Sequence, residues 1–287
     1  MTASVLVNPR SGTASSIAAE LVDAGVDVHE CEPERIVAEA RRLRDNNVAV
    51  VGVIGGDGTL RSVSGALSGS STAFLPIPGG TLNHFARANG VDSVERVIAA
   101  LTDGTPTHVD VAWVNEEPFL NNASIGWYAQ ALHTKEWLER WVSRRVARAL
   151  AFAINLPRAH RFAVEIGSES GLAWFGFVGN GVYGTGPLDL GERADLADGL
   201  LDVRFADAEP AWARTRITAR LAASSLDQSP LMSRNLTQHL TILVGHGPFV
   251  SVALDGELMQ LSNPLRFRVA PASLLVLRPP EAQLLPD

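Results

Sequence analysis

Cysteine is almost absent from this sequence, since Cys31 is the single one among 287 residues. An internal disulfide is therefore excluded, and a zinc site made of cysteine thiolates is not expected. Basic side chains are also outnumbered: 24 lysines and arginines stand against 31 aspartates and glutamates, which gives a formal net charge of −7. An acidic chain of this kind does not fit a nucleic-acid partner, which is bound by neutralising its phosphates.

Long apolar runs are missing as well. No uninterrupted stretch approaches the roughly 18 residues that a membrane-spanning helix needs, and the first residues lack the basic leader of a signal peptide. Hydrophobic residues make up 46% of the sequence and charged residues 19%, which excludes disorder for most of the chain. The sequence predicts a soluble, cytoplasmic protein with a large core, built as two domains or as one large α/β unit.

In the first third of the chain, apolar strands alternate with helical patterns. The run Val48–Ile54 is almost entirely apolar, as is typical of a strand buried on both faces of a parallel sheet. This alternation predicts βαβ units and a mainly parallel sheet. The other strands are predicted at Ser4–Val7, Val26–His29 and Ala73–Ile77, and the helices at Ala14–Ala24, Pro33–Arg44 and Leu60–Leu67.

From about Val109 onward, short strands separated by turn residues predict a β-rich antiparallel sandwich. The expected domains are an α/β domain over 1–112 and a β-rich domain over 113–287, whose last strand could return to the first domain. Two helices are expected near Ala129–Ile154 and Ala211–Ser224. The strands are predicted at Val109–Val114, Phe162–Ile166, Leu172–Val178, Leu201–Phe205, Leu240–Val244, Val250–Leu254, Leu258–Leu261 and Leu265–Val269.

The sharpest motif is Gly55-Gly56-Asp57-Gly58-Thr59, which lies between the buried strand and a helix. Glycines let the backbone turn tightly and approach a ligand closely. The free N–H groups and the dipole at the start of the next helix favour an anion. A plain tight turn needs fewer glycines than this, so the motif favours a phosphate-binding loop.

Two other loops follow strands and precede helices, at 8–12 and 78–83. Each alone is weak, because Asn-Pro and Pro-Gly are ordinary turn formers. In a parallel sheet, however, all three loops would open at the same edge, where ligands bind. The pattern is neither a Walker loop nor the dinucleotide Gly-x-Gly-x-x-Gly motif.

These three loops, in this order, resemble the diacylglycerol kinase catalytic domain, a family that includes soluble bacterial lipid kinases and the sphingosine and ceramide kinases. Two later segments, Asp195–Asp202 and Leu254–Glu257, extend the resemblance over nearly the whole chain. It implies an α/β domain similar to those of phosphofructokinase and NAD kinase. It also implies a β-rich domain for the lipid, with ATP in the cleft between the two domains.

The resemblance implies roles for individual residues. Asp198 would supply the side chain of a structural Mg²⁺ site, to which Asp195 and Leu200 would contribute backbone oxygens. The chain departs from the family at His84, where many relatives have aspartate, and at 30–31, where a nucleotide-contacting threonine often lies. The ATP-binding positions would be Asn8, Pro9, Arg10, Ser11, Gly12, Gly55, Gly56, Asp57, Gly58, Thr59, Leu60, Arg61, Gly80, Thr81 and Asn83.

Two carboxylates are candidates for the catalytic base that a Mg²⁺-dependent kinase needs beside the attacking hydroxyl. Asp57 lies in the phosphate loop, where it could bind the metal or approach the hydroxyl. Glu257 follows Asp255-Gly256, which alone is typical of a solvated hairpin turn. The resemblance assigns the proton acceptor to Glu257 in bacterial relatives and to the counterpart of Asp57 in sphingosine kinases, so both stay candidates.

The predicted helix Glu136–Ile154 is amphipathic. Its two faces fit either a peripheral membrane contact or a core-facing stripe with a solvated basic side. The expected partner is a lipid at a membrane surface, and the oligomeric state is open, a homodimer included. The apolar face carries Trp137, Leu138, Trp141, Val142, Val146 and Leu150, and the basic face carries Arg140, Arg144, Arg145 and Arg148.

The leading hypothesis is an ATP-dependent lipid kinase that phosphorylates a hydroxyl of diacylglycerol or a related lipid. An NAD kinase would share the glycine loop and the first domain, and a non-enzymatic lipid- or nucleotide-binding module is the third alternative. The segments 78–83 and 255–257 favour the lipid branch. The sequence carries no pattern that identifies the acyl acceptor.

Overall fold

The structure is a computed structural model that describes residues 3–8, 14–126, 138, 141–142, 161–184, 193, 195–208 and 232–280. Most of the helix predicted near 129–154, all of the helix predicted at 211–224 and residues 9–12 of the first loop lie outside this part. The chain divides into two units. The first unit comprises Met1–Val111 with Pro271–Asp287, and the second comprises Ala112–Ala270.

The first unit contains a parallel sheet with helices between its strands. Its strand order is β2-β1-β3-β4, and the end of β15 (Leu265–Arg278) lies parallel to β4. The elements are β1 (Ala3–Val7), α1 (Ala14–Asp23), β2 (Val28–Glu30), α2 (Pro33–Asp45), β3 (Val50–Gly55), α3 (Asp57–Leu67), β4 (Ala73–Pro78), α4 (His84–Ala88) and α5 (Val94–Asp103). The βαβ pattern predicted from the sequence is confirmed.

Burial in the first unit follows the hydrophobic pattern. All six residues of β3 are buried, as expected for a strand covered on both faces. Local signals set the helix ends: Pro33 begins α2, and the Ser93 hydroxyl accepts the Arg96 N–H at the start of α5. The core of this unit includes Val5, Leu21 and Ile54.

The second unit is rich in antiparallel strands, and the predicted fold class is therefore confirmed. In the part that the structure describes, its strand order is β14-β13-β7-β9-β8-β12-β15, with β10 between β9 and β11. Phe119 and Phe267 pack edge to face in its core, with ring centroids 6.3 Å apart. The strands are β5 (Thr105–Val114), β6 (Glu117–Phe119), β7 (Asn122–Gly126), β8 (Phe162–Ile166), β9 (Glu169–Asn180), β10 (Leu201–Asp207), β11 (Met232–Thr237), β12 (His239–Val244), β13 (Phe249–Leu254), β14 (Glu257–Ser262) and β15.

The last strand is longer than predicted. The sequence predicted that this strand ends at Val269, two residues before Pro271, whereas β15 runs on to Arg278. The Asp110 carboxylate accepts the N–H of Ala272 at 2.7 Å. Beyond this point Val276 pairs with Phe74 of β4. The boundaries between the two units fall within β5 and within β15, so each of these strands contributes residues to both units.

A helix can cross a membrane only if it is long and apolar enough. None of the helices in the described ranges combines the length and the apolarity that crossing a bilayer requires.

Candidate functional site

Three neighbouring parallel strands of the first unit end at the same edge of the sheet. Val7 of β1 pairs with Ile54 of β3, and Ile54 pairs with Ile77 of β4. The loops that follow these strands therefore leave the sheet side by side. Of the first loop the structure describes Asn8, whereas Pro9, Arg10, Ser11 and Gly12 lie outside the described residues.

The second and third loops pack backbone against backbone. The Gly79 N–H donates to the Gly55 carbonyl at 3.0 Å. A Cβ on Gly80 would lie 2.6 Å from the Gly56 Cα, and one on Gly79 would lie 2.9 Å from the Gly55 nitrogen. These glycines are therefore required by contact between the loops, a reason that the sequence, read for access to a ligand, did not reveal.

Helix α3 begins inside the glycine motif. Gly56 is its N-cap in an extended conformation, and its carbonyl accepts the first helical hydrogen bond, from Leu60. The first-turn N–H groups of a helix have no partner within it and carry its positive end. This turn, which includes Gly58 and Thr59, can therefore bind a phosphate. Leu60 is fully buried and Arg61 is 5% exposed, so the Leu60 side chain belongs to the core.

Asp57 is the first residue of α3, and its carboxylate faces the start of α4. The Asp57 Oδ1 accepts the Phe85 N–H at 3.4 Å. Burial raises the pKa of Asp57, and the charge of His84 together with the N–H groups of Phe85, Asn83 and His84 offsets this only in part. A carboxyl group with a raised pKa in a ligand loop is suited to proton transfer.

Asn83 has a structural task in the third loop. It adopts the left-handed conformation with φ of 52°, and its side-chain oxygen accepts the Gly80 N–H at 2.9 Å while its amide donates to the Gly80 carbonyl at 2.8 Å. The side-chain amide thus closes the loop on itself. Thr81, between them, is exposed.

Glu257 lies in the second unit, at the start of β14, and is exposed. The hairpin predicted at Asp255-Gly256 is confirmed: Leu254 pairs with Glu257, and both turn residues have positive φ, 48° and 93°. Sequence analysis treated Asp255 as a turn residue only. In the structure its carboxylate accepts three backbone N–H groups of the segment 120–122.

The predicted Mg²⁺ ligands form a turn that the protein itself holds. The two oxygens of Asp198 accept the N–H groups of Val182 and Leu200 at 2.7 and 2.9 Å, and the Leu200 carbonyl accepts the Gly181 N–H at 2.8 Å. The Asp195 carboxylate accepts the N–H of Ala197 at 2.9 Å.

Whether this turn fits a metal ion depends on its donors. One carboxylate and two carbonyls form an all-oxygen set of the kind that Mg²⁺ prefers, with water completing the shell. Within the ranges that the structure describes, three or more histidine, cysteine or acidic side chains do not gather around one point. The assignment of Asp195, Asp198 and Leu200 to a magnesium site stays a prediction.

A buried ion cluster was missed by the sequence analysis. Asp202 is completely buried and accepts hydrogen bonds from both Arg204 and Arg234, and both arginines also donate to the Tyr183 carbonyl. Burial alone would raise the pKa of Asp202, but the arginines outweigh it and lower the pKa. The available signal was a charged Asp-x-Arg pair inside an otherwise apolar predicted strand.

Three residues of the predicted amphipathic helix are described. Leu138 is buried with Val142 packed against it, whereas Trp141 is 77% exposed. The Trp141 indole therefore does not belong to a core-facing stripe. The basic residues of the other predicted face lie outside the described residues.

Comparison with known proteins gives concordant results. Residues 2–114 match the family model described as the diacylglycerol kinase catalytic domain. A protein of Pseudomonas putida named "Probable lipid kinase YegS-like" is 30% identical to this chain, over 92% of the chain and 88% of that protein.

Two solved structures share the fold. A crystal structure of a diacylglycerol kinase from Bacillus anthracis aligns with a TM-score of 0.67 at 18% identity, over 97% of each chain. An NAD kinase from Archaeoglobus fulgidus in complex with ATP aligns with a TM-score of 0.52 at 10% identity, over 98% of this chain and 94% of that one. Both likenesses support the fold class alone.

Proposed function

Because the chain belongs to the diacylglycerol kinase catalytic-domain family of lipid kinases, we propose that it transfers the γ-phosphoryl group of ATP to a hydroxyl of diacylglycerol or a related lipid. In this reaction the lipid oxygen forms a bond to the γ-phosphorus, the bond to the β-phosphate oxygen breaks, and ADP leaves. The hydroxyl proton passes to a carboxylate of the protein.

One observation carries the proposal. The loops after β1, β3 and β4 emerge at one edge of a parallel sheet, which is where such sheets bind nucleotides. There the glycines bring two backbones together beside the first turn of α3.

The chain's own residues would do three things in this reaction. N–H groups in the first turn of α3 would hold phosphate oxygens. Asp57, whose pKa is raised by burial, and Glu257 are the two alternative candidates for the carboxylate that takes the hydroxyl proton. Mg²⁺, when bound, would neutralise charge on the phosphates; Asp198, with the carbonyls of Asp195 and Leu200, would hold a structural ion.

NAD kinase is the second candidate, favoured by the structural likeness to the archaeal enzyme. A curated relative named as a lipid kinase, matched at 30% identity over most of both chains, argues for the lipid branch. Purified protein incubated with labelled ATP and, in parallel, a lipid panel or NAD⁺ separates the two. Labelled lipid supports the proposal, whereas labelled NADP⁺ without any lipid product contradicts it.

The carboxylates are tested one at a time. We expect Asp57→Ala and Glu257→Gln each to lower kcat by about 10²–10⁴-fold, the usual contribution of a general base, while cooperative thermal unfolding persists. Asp45→Asn, an exposed carboxylate paired with Arg44, is the matched control and should keep full activity. Wild-type kcat in either variant would remove that carboxylate from the mechanism.

A further inference from the structure

Asp255 accepts more hydrogen bonds than its turn requires. Its Oδ2 accepts the Leu120 N–H at 2.8 Å, and its Oδ1 accepts the N–H groups of Asn121 and Asn122 at 2.7 and 3.0 Å. The hairpin itself needs only a residue that tolerates positive φ at this position, which asparagine would also provide. A carboxylate gathering three donors is a stronger, charge-assisted contact. The turn does not explain it.

Segment 120–122, whose N–H groups donate to Asp255, is also held through its carbonyl groups. Asn180 and Arg193 donate to the Leu120 carbonyl at 3.0 and 2.9 Å. The Tyr183 hydroxyl donates to the Asn121 carbonyl at 2.8 Å, and Arg193 also reaches the Asn121 side-chain oxygen at 3.1 Å. Burial raises the pKa of Tyr183, which keeps this donor protonated. Segment 120–122 is therefore a fixed support.

A single glycine separates Asp255 from Glu257. The Asp255 N–H donates to the Asn122 carbonyl at 2.9 Å, and Leu254 pairs with Glu257 across the turn. Fixing both the backbone and the carboxylate of Asp255 therefore fixes the backbone from which the Glu257 side chain extends.

We infer that Asp255 is a positioning residue for Glu257, holding the β13–β14 turn against segment 120–122 so that the Glu257 carboxylate keeps its place. The inference rests on the proposed function, in which Glu257 is one of the two carboxylates proposed to take the hydroxyl proton. A catalytic group displaced by about 1 Å can lose about 10²-fold in rate.

The test is Asp255→Asn, which keeps the turn but offers one acceptor oxygen where the carboxylate offers two. We expect kcat to fall by roughly 10–10²-fold, while KM for ATP stays within about twofold, because the proposed ATP ligands lie in other loops. Tyr183→Phe, which removes one hydroxyl hydrogen bond from the support, is the milder second variant and should lower kcat in the same sense.

Combination with Glu257→Gln separates positioning from general stabilisation. If Asp255 acts through Glu257, then Asp255→Asn or Tyr183→Phe added to Glu257→Gln causes no further loss in the residual turnover, a non-additivity expected of groups that work as one unit. An equal loss in both backgrounds, or an unchanged kcat in both single variants, overturns the inference. Wild-type kcat in Glu257→Gln would instead overturn the proposed role of Glu257, and this inference with it.

Asn263→Asp is the matched control, at the opposite end of β14. The Asn263 amide donates to the carbonyls of Val244 and Gly247 at 2.9 and 2.8 Å, and aspartate would lose both hydrogen bonds. The control should lower Tm while kcat stays within about twofold of wild type. A loss of kcat as large as that in Asp255→Asn would mean that loosening β14 anywhere suffices, which contradicts the specific role of Asp255.

Discussion

Burial and the charge of His84 have opposite effects on the pKa of Asp57. Burial raises the pKa of Asp57, and the positive charge that His84 carries when protonated lowers it again. The residue at position 84 therefore has a physical consequence at the candidate base.

We predict that His84→Gln moves the acidic limb of the kcat/KM pH profile to higher pH. With the charge of His84 removed, the Asp57 carboxylate takes up a proton at a higher pH, so its ionised form is lost sooner as pH falls. Measuring kcat/KM from about pH 4 to about pH 8 checks this, because the window then begins near the ordinary aspartate pKa. His246→Gln, an exposed histidine of the second unit, is the control; a limb displaced equally there, or not displaced in His84→Gln, contradicts the prediction.

Local spacing in the sequence singles out the candidate carboxylates and one turn. Asp57 and Glu257 follow from short motifs, and the turn at Asp255 follows from its Asp-Gly dipeptide. The hydrogen bonds of Asp255 to segment 120–122 could not be predicted, because they join positions more than 130 residues apart. Asp202 was missed for the same reason, since Arg234 reaches it from another strand.

At the scale of elements, the loops that follow the adjacent strands β3 and β4 pack directly against each other. Gly80 lies against Gly56 so closely that a side chain at position 80 would clash with the backbone of the loop after β3. The sequence predicted the position of both loops, because each follows a clear apolar strand. It could not predict that the loops touch, since the contact depends on the in-register pairing of β3 with β4.

We predict that Gly80→Ala destabilises the protein and weakens ATP binding. A Cβ there would lie 2.6 Å from the Gly56 Cα, and relieving such overpacking costs about 1–3 kcal/mol. Chemical unfolding and calorimetric titration with ATP measure the two effects. Gly171→Ala is the matched control, because a Cβ at Gly171 meets nothing within 4 Å; equal behaviour of the two variants would contradict the packing argument.

For the whole molecule, the change from alternating strands and helices to short strands predicted the parallel and antiparallel halves of the fold. The last strand was predicted too short: β15 continues beyond Pro271, and there the Asp110 carboxylate accepts the Ala272 N–H. The burial of Asp202 and Arg204 was likewise not predicted by a pattern based on hydrophobicity.

We predict that Asp202→Asn lowers the free energy of unfolding at pH 7 by about 3–5 kcal/mol, the usual cost of leaving buried charges without their partner. Because the pKa of Asp202 is lowered in the folded protein, its stabilisation is present above the ordinary aspartate pKa and disappears as pH falls through the folded value. Urea unfolding at descending pH should show wild type and variant converging. Asp45→Asn, which breaks an exposed pair, should change stability by less than about 1 kcal/mol; a gap of constant size at all pH values would contradict the linkage.

The pairing of Phe74 with Val276 joins two strands that are synthesised at widely separated times. Strand β4 is synthesised long before the end of β15 that pairs with its edge. Until then, that edge of β4 has unpaired backbone N–H and C=O groups. Until β15 is synthesised, the free edge of β4 is a surface to which another extended segment can add.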